Sequence, residues 1–100
     1  MPTIAISVPH SLPAGEAAER LKIRMADAKE SYRGSFSDLS ESWNGHQLSY
    51  AFTVLGMEVR GTMTVESGAV RLSADLPMAA ALLRGTIESQ LREEMERLLA

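Results

Sequence analysis

The spacing of apolar residues changes repeatedly along this chain, and those changes divide it into strands and helices. An apolar residue at every second position is the pattern of a strand that buries one face. Apolar residues at steps of three and four are the pattern of a helix with one buried stripe. The patterns follow one another in the order strand, helix, four strands and helix, which predicts a βαββββα chain.

The first strand is marked by Ile4, Ile6 and Val8, which alternate with small or polar residues until Pro9 ends the run. This N-terminal segment has no basic start and is broken by proline, so we do not expect a secretory signal. No later segment has the apolar length that a membrane-spanning helix needs. Cysteine is absent, which permits a reducing compartment. The sequence therefore predicts a cytoplasmic protein without a membrane span.

The first helix is predicted from Leu12 to about Tyr32. Ser11 is placed to be its hydroxyl cap, Pro13 suits its first turn, and Gly34 suits its exit. We expect its apolar stripe to pack on a sheet. The stripe comprises Ala14, Ala17, Ala18, Leu21, Met25, Ala28 and Tyr32.

Tight turns divide the segment from Leu39 to Leu76 into four predicted strands. Asn44-Gly45 is the preferred pair for a two-residue hairpin, because both residues tolerate a positive φ. Gly56 and Ser67-Gly68 mark the following turns. Apolar and polar residues alternate between the turns, so successive hairpins should build an antiparallel meander.

The last helix is predicted after Pro77, where the apolar steps return to three and four residues. A five-stranded antiparallel sheet with both helices on one face is then the least strained way to bury every apolar face. The first strand is expected beside the last strand, in the order 1-5-4-3-2. This is an α+β class with one domain at residues 1–100, and it resembles a shortened helix-grip, or START-like, architecture. The apolar face of the last helix comprises Leu83, Ile87, Leu91, Met95 and Leu98.

The opposite face of the predicted sheet is expected to be small, mixed and low in charge at its centre. One interpretation is a solvated face, which is common in antiparallel sheets. The other is a sheet-to-sheet homodimer contact, because small uncharged side chains lose their water at lower cost than Lys or Glu. The residues of this face are Thr3, Ala5, Ser7, Ser49, Ala51, Thr53, Leu55, Thr62, Thr64 and Ser73, with Arg71 and Asp75 beside them.

Charge and composition exclude several classes of function. A formal charge of −3 argues against nucleic acid as a partner, because phosphate binding normally uses a concentrated basic face. The absence of cysteine excludes thiolate metal sites and thiol nucleophiles. The later glycines are too dispersed to cradle phosphate, and we expect no cofactor. Instead, we interpret Gly61 as a strand bulge and Gly85 as a point of close packing.

No catalytic centre is predicted, although His10 and Ser11 are adjacent. Neighbouring residues at a strand-to-helix junction rarely align for proton transfer, and no nucleophile-elbow sequence surrounds Ser11. We expect capping by Ser11 and local hydrogen bonding by His10. His46 is expected to be an exposed neighbour of the hairpin turn. Two histidines without clustered carboxylates do not make a metal site.

The methionines allow two interpretations. Flexible thioethers fill irregular cores, which is the role we expect, but they also line adaptable apolar binding surfaces. A cavity between the last helix and the sheet would make an apolar ligand site. Such a cavity would be bordered by Tyr50, Phe52, Met57, Met63 and Met95.

Short motifs occur in a consistent order along nearly the whole chain. The first is Val8-Pro9-His10-Ser11-Leu12, followed by Glu16-Ala17 and a helix. Trp43-Asn44-Gly45 then precedes Leu48 and an alternating strand. The series ends with Gly61, Val70-Arg71-Leu72 and Gly85-Thr86-Ile87-Glu88. Together these motifs resemble the polyhydroxyalkanoic acid system (granule-region) family.

The resemblance implies a bacterial protein associated with polyester storage granules, and it supplies no catalytic residues. A serine-rich segment at residues 35–42 and an alanine-rich segment at residues 78–81 depart from the family pattern. We expect a non-enzymatic accessory protein of polyhydroxyalkanoate metabolism that contacts granule proteins or the granule surface. The first alternative is a module that binds an apolar small molecule in the helix–sheet cavity. A hydrolase or isomerase is a weaker alternative.

Overall fold

Strands and helices follow the predicted βαββββα order, with a short 3-10 helix inserted before the last α-helix. A computed structural model describes residues 3–54 and 56–99. The predicted outer-face residue Leu55 lies outside the described residues. The elements are β1 (Thr3–Pro9), α1 (Ala14–Ser31), β2 (Ser37–Asn44), β3 (Gln47–Val54), β4 (Met57–Glu66), β5 (Ala69–Asp75), the 3-10 helix η1 (Met78–Leu83) and α2 (Arg84–Leu99).

One antiparallel sheet contains all five strands in the predicted order β1-β5-β4-β3-β2. A single row of directly opposed residues crosses it, from Ile6 through Leu72, Met63 and Leu48 to Trp43. Directly opposed residues share one face of a sheet, so this face is apolar across every strand. The α+β class is confirmed, while the helix-grip description remains an interpretation.

Both helices contribute to one core on the apolar face. The buried residues of α1 are Ala17, Ala18 and Leu21, and α2 contributes Met95, Leu98 and Leu99. They join the buried strand residues in one cluster. The small alanines let α1 lie close to the sheet, so the predicted stripe is the face that packs, except for Tyr32, which is the C-cap residue and is 49% exposed.

The entrance to α1 differs from the prediction. Pro13 is the N-cap residue rather than part of the first turn, and no side chain caps the helix. The predicted cap by Ser11 is therefore wrong, because the helix begins too far downstream for its hydroxyl. The Ala17 N–H instead donates to the Pro13 carbonyl at 3.0 Å. At the other end, Gly34 has a φ of 104° and follows the C-cap Tyr32, as an exit glycine should.

The β2–β3 hairpin is confirmed, but its turn is shifted by one residue. Asn44 pairs with Gln47, which leaves Gly45 and His46 as the turn. Gly45 has a φ of 63°, whereas His46 is not among the positive-φ residues. One turn type of two-residue hairpin places glycine at the first central position for this reason.

The interpretations of Gly61 and Gly85 are both wrong. The ladder runs through Gly61 without a register shift on either side, so the predicted bulge is wrong. A Cβ on Gly61 would lie 1.9 Å from the Ser73 carbonyl oxygen, which no side chain can accept. A Cβ on Gly85 would meet nothing within 4 Å. Close approach therefore belongs to Gly61, and the register shift lies in β2 between Ser37 and Ser40.

The predicted last helix is divided between η1 and α2. Leu83 is 55% exposed rather than buried, because a 3-10 helix turns in three residues and does not continue the α-helical stripe. Ile87 and Leu91 are half-buried at the edge of the core, and Met95 is buried within it. The inward face of α2 therefore begins one turn later than predicted.

Candidate functional site

The β1–α1 junction contains the adjacent pair His10 and Ser11. The Leu12 N–H donates to His10 Nδ1 at 3.0 Å, so Nε2 carries the ring proton. His10 Nε2 in turn lies 2.8 Å from the Glu66 carbonyl oxygen, to which it donates. The backbone is joined to the same turn, since the His10 N–H donates to the Gly68 carbonyl at 3.0 Å. The bond with Leu12 is the local hydrogen bond predicted for His10, and the other two tie this junction to the β4–β5 turn.

Ser11 and His46 do not join His10 in a reactive arrangement. Ser11 is exposed, and both His10 ring nitrogens already have backbone partners. His46 is exposed, as predicted, but it is part of the hairpin turn rather than its neighbour, and its carbonyl accepts from the Val65 N–H at 2.8 Å. Within residues 3–54 and 56–99, no three His, Asp or Glu side chains are grouped to hold a metal ion.

Tyr50 is the most perturbed ionisable group at the helix-facing side of the sheet. Its hydroxyl donates to the Ser73 carbonyl at 2.8 Å. Burial, with a smaller contribution from the Asp75 carboxylate, raises the pKa of the Tyr50 phenol from 10.0 to about 12. A phenol with such a pKa stays protonated at neutral pH and acts as a hydrogen-bond donor.

The aromatic residues continue from Tyr50 along one end of the apolar face. The Tyr50 and Phe52 rings are stacked with centroids 6.2 Å apart, and Phe36 meets Phe52 edge-on at 6.1 Å. These rings are half-buried rather than enclosed. Met57 is also half-buried and lies opposite Val54, two residues from Phe52. We call these four residues the apolar rim: Phe36, Tyr50, Phe52 and Met57.

The five predicted cavity residues divide between this rim and the core. Met63 and Met95 are buried in the core, whereas Tyr50, Phe52 and Met57 are half-buried. A depression of about 360 Å³ lies elsewhere, on the outer sheet face beside Thr62, Thr64 and Ser73. A second, of about 260 Å³, lies between the ends of the helices beside Arg24, Asp27 and Arg97. Neither depression is bordered by the predicted residues, so the apolar cavity stays a prediction.

Small polar side chains bond to one another across the outer sheet face. The Thr3 hydroxyl donates to Asp75 Oδ1 at 3.0 Å, and the Thr62 and Ser73 hydroxyls lie 3.1 Å apart. Charged groups are paired within the face as well. Arg71 lies 2.9 Å from Glu66, and Arg60 is paired with Glu58.

An exposed apolar surface, missed by the sequence prediction, lies on η1. Met78, Leu82 and Leu83 all point into solvent, and Leu82 is 98% exposed. No charged residue occurs from Leu76 to Leu83. This uncharged run is the sequence signal that could have indicated an exposed apolar surface. The helical spacing of Leu83 instead predicted that its side chain is buried in the core. We call these three residues the apolar turn.

A family model described as "Putative polyhydroxyalkanoic acid system protein" matches residues 4–99. The chain belongs to this family. The match runs from the first strand to the last helix. It confirms the resemblance to the polyhydroxyalkanoic acid system family that the short motifs indicated. No curated protein and no solved structure matches the chain. Among residues 3–54 and 56–99, no helix is long and apolar enough to cross a membrane.

Proposed function

We propose that this polyhydroxyalkanoic acid system protein is a cytoplasmic, non-enzymatic accessory protein that binds at polyester storage granules. The family match over residues 4–99 is the observation that carries the proposal. The structure supports a contact role in two ways. Both ring nitrogens of His10 are committed to backbone partners, and the apolar turn is presented to solvent.

The apolar turn gives granule binding a physical basis. Contiguous exposed apolar side chains commonly mark contact surfaces. Complete burial of one leucine is worth about 1.5–3 kcal/mol, and a polyester surface offers an apolar phase in which to bury it. Leu82 would contribute most, because nearly its whole side chain is exposed.

Co-sedimentation with isolated polyhydroxyalkanoate granules tests this proposal. We expect the unmodified protein to sediment with granules, and Leu82→Ser to lower the bound fraction, by up to about tenfold in affinity. Ile23→Ser is the matched control, because Ile23 is exposed on α1, away from the apolar turn. Equal binding by both variants would remove the apolar turn as the contact. No binding to granules, with or without their coat proteins, would overturn the proposed function.

The non-enzymatic part of the proposal is tested separately with ester and thioester substrates. We expect no turnover above a protein-free control. Turnover that His10→Ala or Ser11→Ala abolished, in variants that remain folded, would show that the β1–α1 junction is catalytic. Loss of fold is monitored by circular dichroism in the same samples.

A module that binds an apolar small molecule is the second candidate function. The half-buried rim of Phe36, Tyr50, Phe52 and Met57 is the observation that favours it. A medium-chain fatty acid is a suitable probe, titrated while the fluorescence of Trp43 is recorded. Saturable binding that Phe52→Ala abolished would support this function, and a flat titration would remove it.

We also propose that the protein acts as a homodimer. Two surfaces of the sheet can make this contact: the outer face, whose small polar residues motivated the prediction, and the free edge of β2. Sedimentation of the purified protein over a wide concentration range gives the association state, and a monomer throughout would overturn the dimer.

A further inference from the structure

The two edges of the sheet differ in how they are protected. At the β1 edge, Arg92 Nη1 donates to the Ser7 carbonyl at 3.1 Å, and Pro9 has no N–H. The β2 edge has neither device along its regular segment, residues 40–44, which contains no proline, lysine or arginine; its register shift lies outside that segment, between Ser37 and Ser40. Natural sheets commonly protect their edges with such residues. The edge at β2 is therefore the less protected of the two.

The direction of the hydrogen bonds in β3 shows which backbone groups of β2 face outward. The Val65 N–H donates to the His46 carbonyl at 2.8 Å, so His46 and every second residue after it bond toward β4. The intervening residues, Gln47 and Ser49, consequently bond to β2.

The partners of Gln47 and Ser49 in β2 are Asn44 and Ser42, which therefore point inward. The N–H and C=O groups of Glu41 and Trp43 point outward. Within residues 3–54 and 56–99, no hydrogen bond reaches these outward backbone groups. The edge thus presents alternating donors and acceptors in the form that another strand can use.

We propose that β2 pairs antiparallel with β2 of a second copy, about a two-fold axis at Ser42. This inference rests on the homodimer proposed above and names its contact. Glu41 then faces the partner's Trp43, and each such pair exchanges two backbone hydrogen bonds. The two sheets become one continuous sheet with both helical layers on the same side.

The irregularity in β2 selects the two-fold axis. The register shifts between Ser37 and Ser40, where Asp38 has a φ of 55°. Regular pairing with β3 runs from Ser40 to Asn44, and Ser42 is the centre of that segment. An axis at Ser42 pairs the whole regular segment with its copy, whereas an axis at Glu41 would place two carboxylates opposite each other.

Charge complementarity favours the same register. Lys22 Nζ lies 5.0 Å from the centroid of the Trp43 ring, and Lys29 is paired with Glu41 at 2.5 Å. When Glu41 faces the partner's Trp43, it also approaches the ammonium group of the partner's Lys22. A cation on one copy thus meets an anion on the other, twice about the axis.

The helices leave room for this contact. α1 packs against β4, the second strand inward from the β2 edge after β3. Neighbouring strands are about 4.8 Å apart, so β4 and its copy would be separated by about 24 Å. A helix with its side chains is about 10–12 Å wide. The two α1 helices can therefore lie on one side of the joined sheet without overlap.

Amide hydrogen exchange of the unmodified protein is the first test. We expect the Glu41 and Trp43 amides to be slow at concentrations where the protein is dimeric and to become fast on dilution. The Ser42 amide is the internal control, because its bond to β3 protects it in monomer and dimer alike. Fast exchange of the Glu41 and Trp43 amides in a dimer would overturn the inference.

Proline substitution tests the same contact by sedimentation. Glu41→Pro removes an outward N–H without removing a bond to β3, so we expect the mass in solution to fall from dimer to monomer. Glu41→Gln keeps the N–H and is the matched control, which should remain dimeric. Thr53→Lys, on the outer face, should also remain dimeric.

The outcomes separate the proposals. A dimer that survives Glu41→Pro and is lost in Thr53→Lys would place the contact on the outer face and overturn only the edge inference. A monomeric unmodified protein would overturn both the edge inference and the homodimer. Neither result changes granule co-sedimentation, which tests the accessory function independently.

Discussion

Gly61 and Tyr50 are directly opposed in neighbouring strands and share one space on the helix-facing side of the sheet. Because Gly61 has no side chain, the Ser73 carbonyl oxygen can lie where a Cβ would otherwise be. Tyr50 covers the glycine and donates its hydroxyl proton to that same carbonyl. An aromatic residue opposite a glycine is a recognised way to pin strand register. The pair therefore couples three strands through one hydrogen bond.

The Tyr50 phenol predicts a loss of stability at alkaline pH. Its pKa is raised from 10.0 to about 12 by burial and by Asp75, so the folded state holds the proton more tightly than the unfolded chain. The stabilisation is complete below pH 10 and is lost as the pH rises toward 12. Because the side chain is partly exposed, we expect a loss of at most about 2 kcal/mol.

Urea denaturation of the unmodified protein and Tyr50→Phe between pH 10 and 12 isolates this contribution. Tyr50→Phe should cost about 1 kcal/mol at neutral pH, through the lost hydrogen bond. Its stability should then fall less steeply than that of the unmodified protein as the pH rises. Parallel decreases in both proteins would show that another group is responsible.

At the scale of single residues, the sequence predicted the kind of interaction a side chain makes better than the residue with which it interacts. The local hydrogen bonding of His10 was foreseen, but its acceptor is a carbonyl at Glu66, which lies far away in the chain. The close approach predicted for Gly85 is found at Gly61, because close approach depends on the neighbouring strand, and a strand pattern does not contain that information. The prediction that the Ser11 hydroxyl caps α1 was wrong because the helix begins at Ala14, with Pro13 as its N-cap residue.

The strands and α1 illustrate what apolar periodicity determines at the scale of elements. Alternation sets both the conformation and the buried face of a strand, since a one-residue slip would expose every apolar side chain. The η1–α2 segment shows the limit of this reasoning. Leu83 fits an α-helical stripe in the sequence, but it is the last residue of the six-residue 3-10 helix before α2. A 3-10 helix has three residues per turn, so Leu83 does not continue the apolar stripe of α2.

Leu21 provides the packing prediction for α1. Its side chain is 0% exposed in the core, so Leu21→Ala should reduce the free energy of unfolding by about 2–5 kcal/mol. Ile23→Ala is the control on the same helix, where 65% exposure predicts a change within about 0.5 kcal/mol. Chemical denaturation measures both. Similar losses for the two variants would mean that a different face of α1 is packed.

At the scale of the whole molecule, strand order was predictable and edge protection was not. Hairpin turns determine the order from β2 to β5, and the apolar face of β1 must join the same core. The protection of β1 depends instead on Arg92 reaching Ser7 from the opposite end of the chain. That contact appears only after the helices are placed on the sheet. The pairing site proposed at β2 could not be predicted from the sequence, because it is recognised only by comparison with the protected β1 edge.

The difference between the edges predicts how assembly ends. Pairing at β2 alone is isologous and closes as a dimer, whereas two open edges would allow growth without closure. Arg92→Ala releases the outward Ser7 carbonyl, the one backbone group of the β1 edge to which Arg92 donates. We expect this variant to form species larger than the dimer as its concentration rises. Arg97→Ala is the control, because Arg97 lies on the same helix and pairs with Glu94.

Light scattering and sedimentation of Arg92→Ala measure this growth. Combining Arg92→Ala with Glu41→Pro should restrict assembly again, because only the β1 edge would then remain open. Growth in Arg92→Ala that Glu41→Pro limits to a dimer would show that both edges take part. An Arg92→Ala protein that stays dimeric would mean that Pro9 and the packing of α2 protect β1 without the guanidinium. Protection would then be a property of the fold around β1 rather than of one side chain.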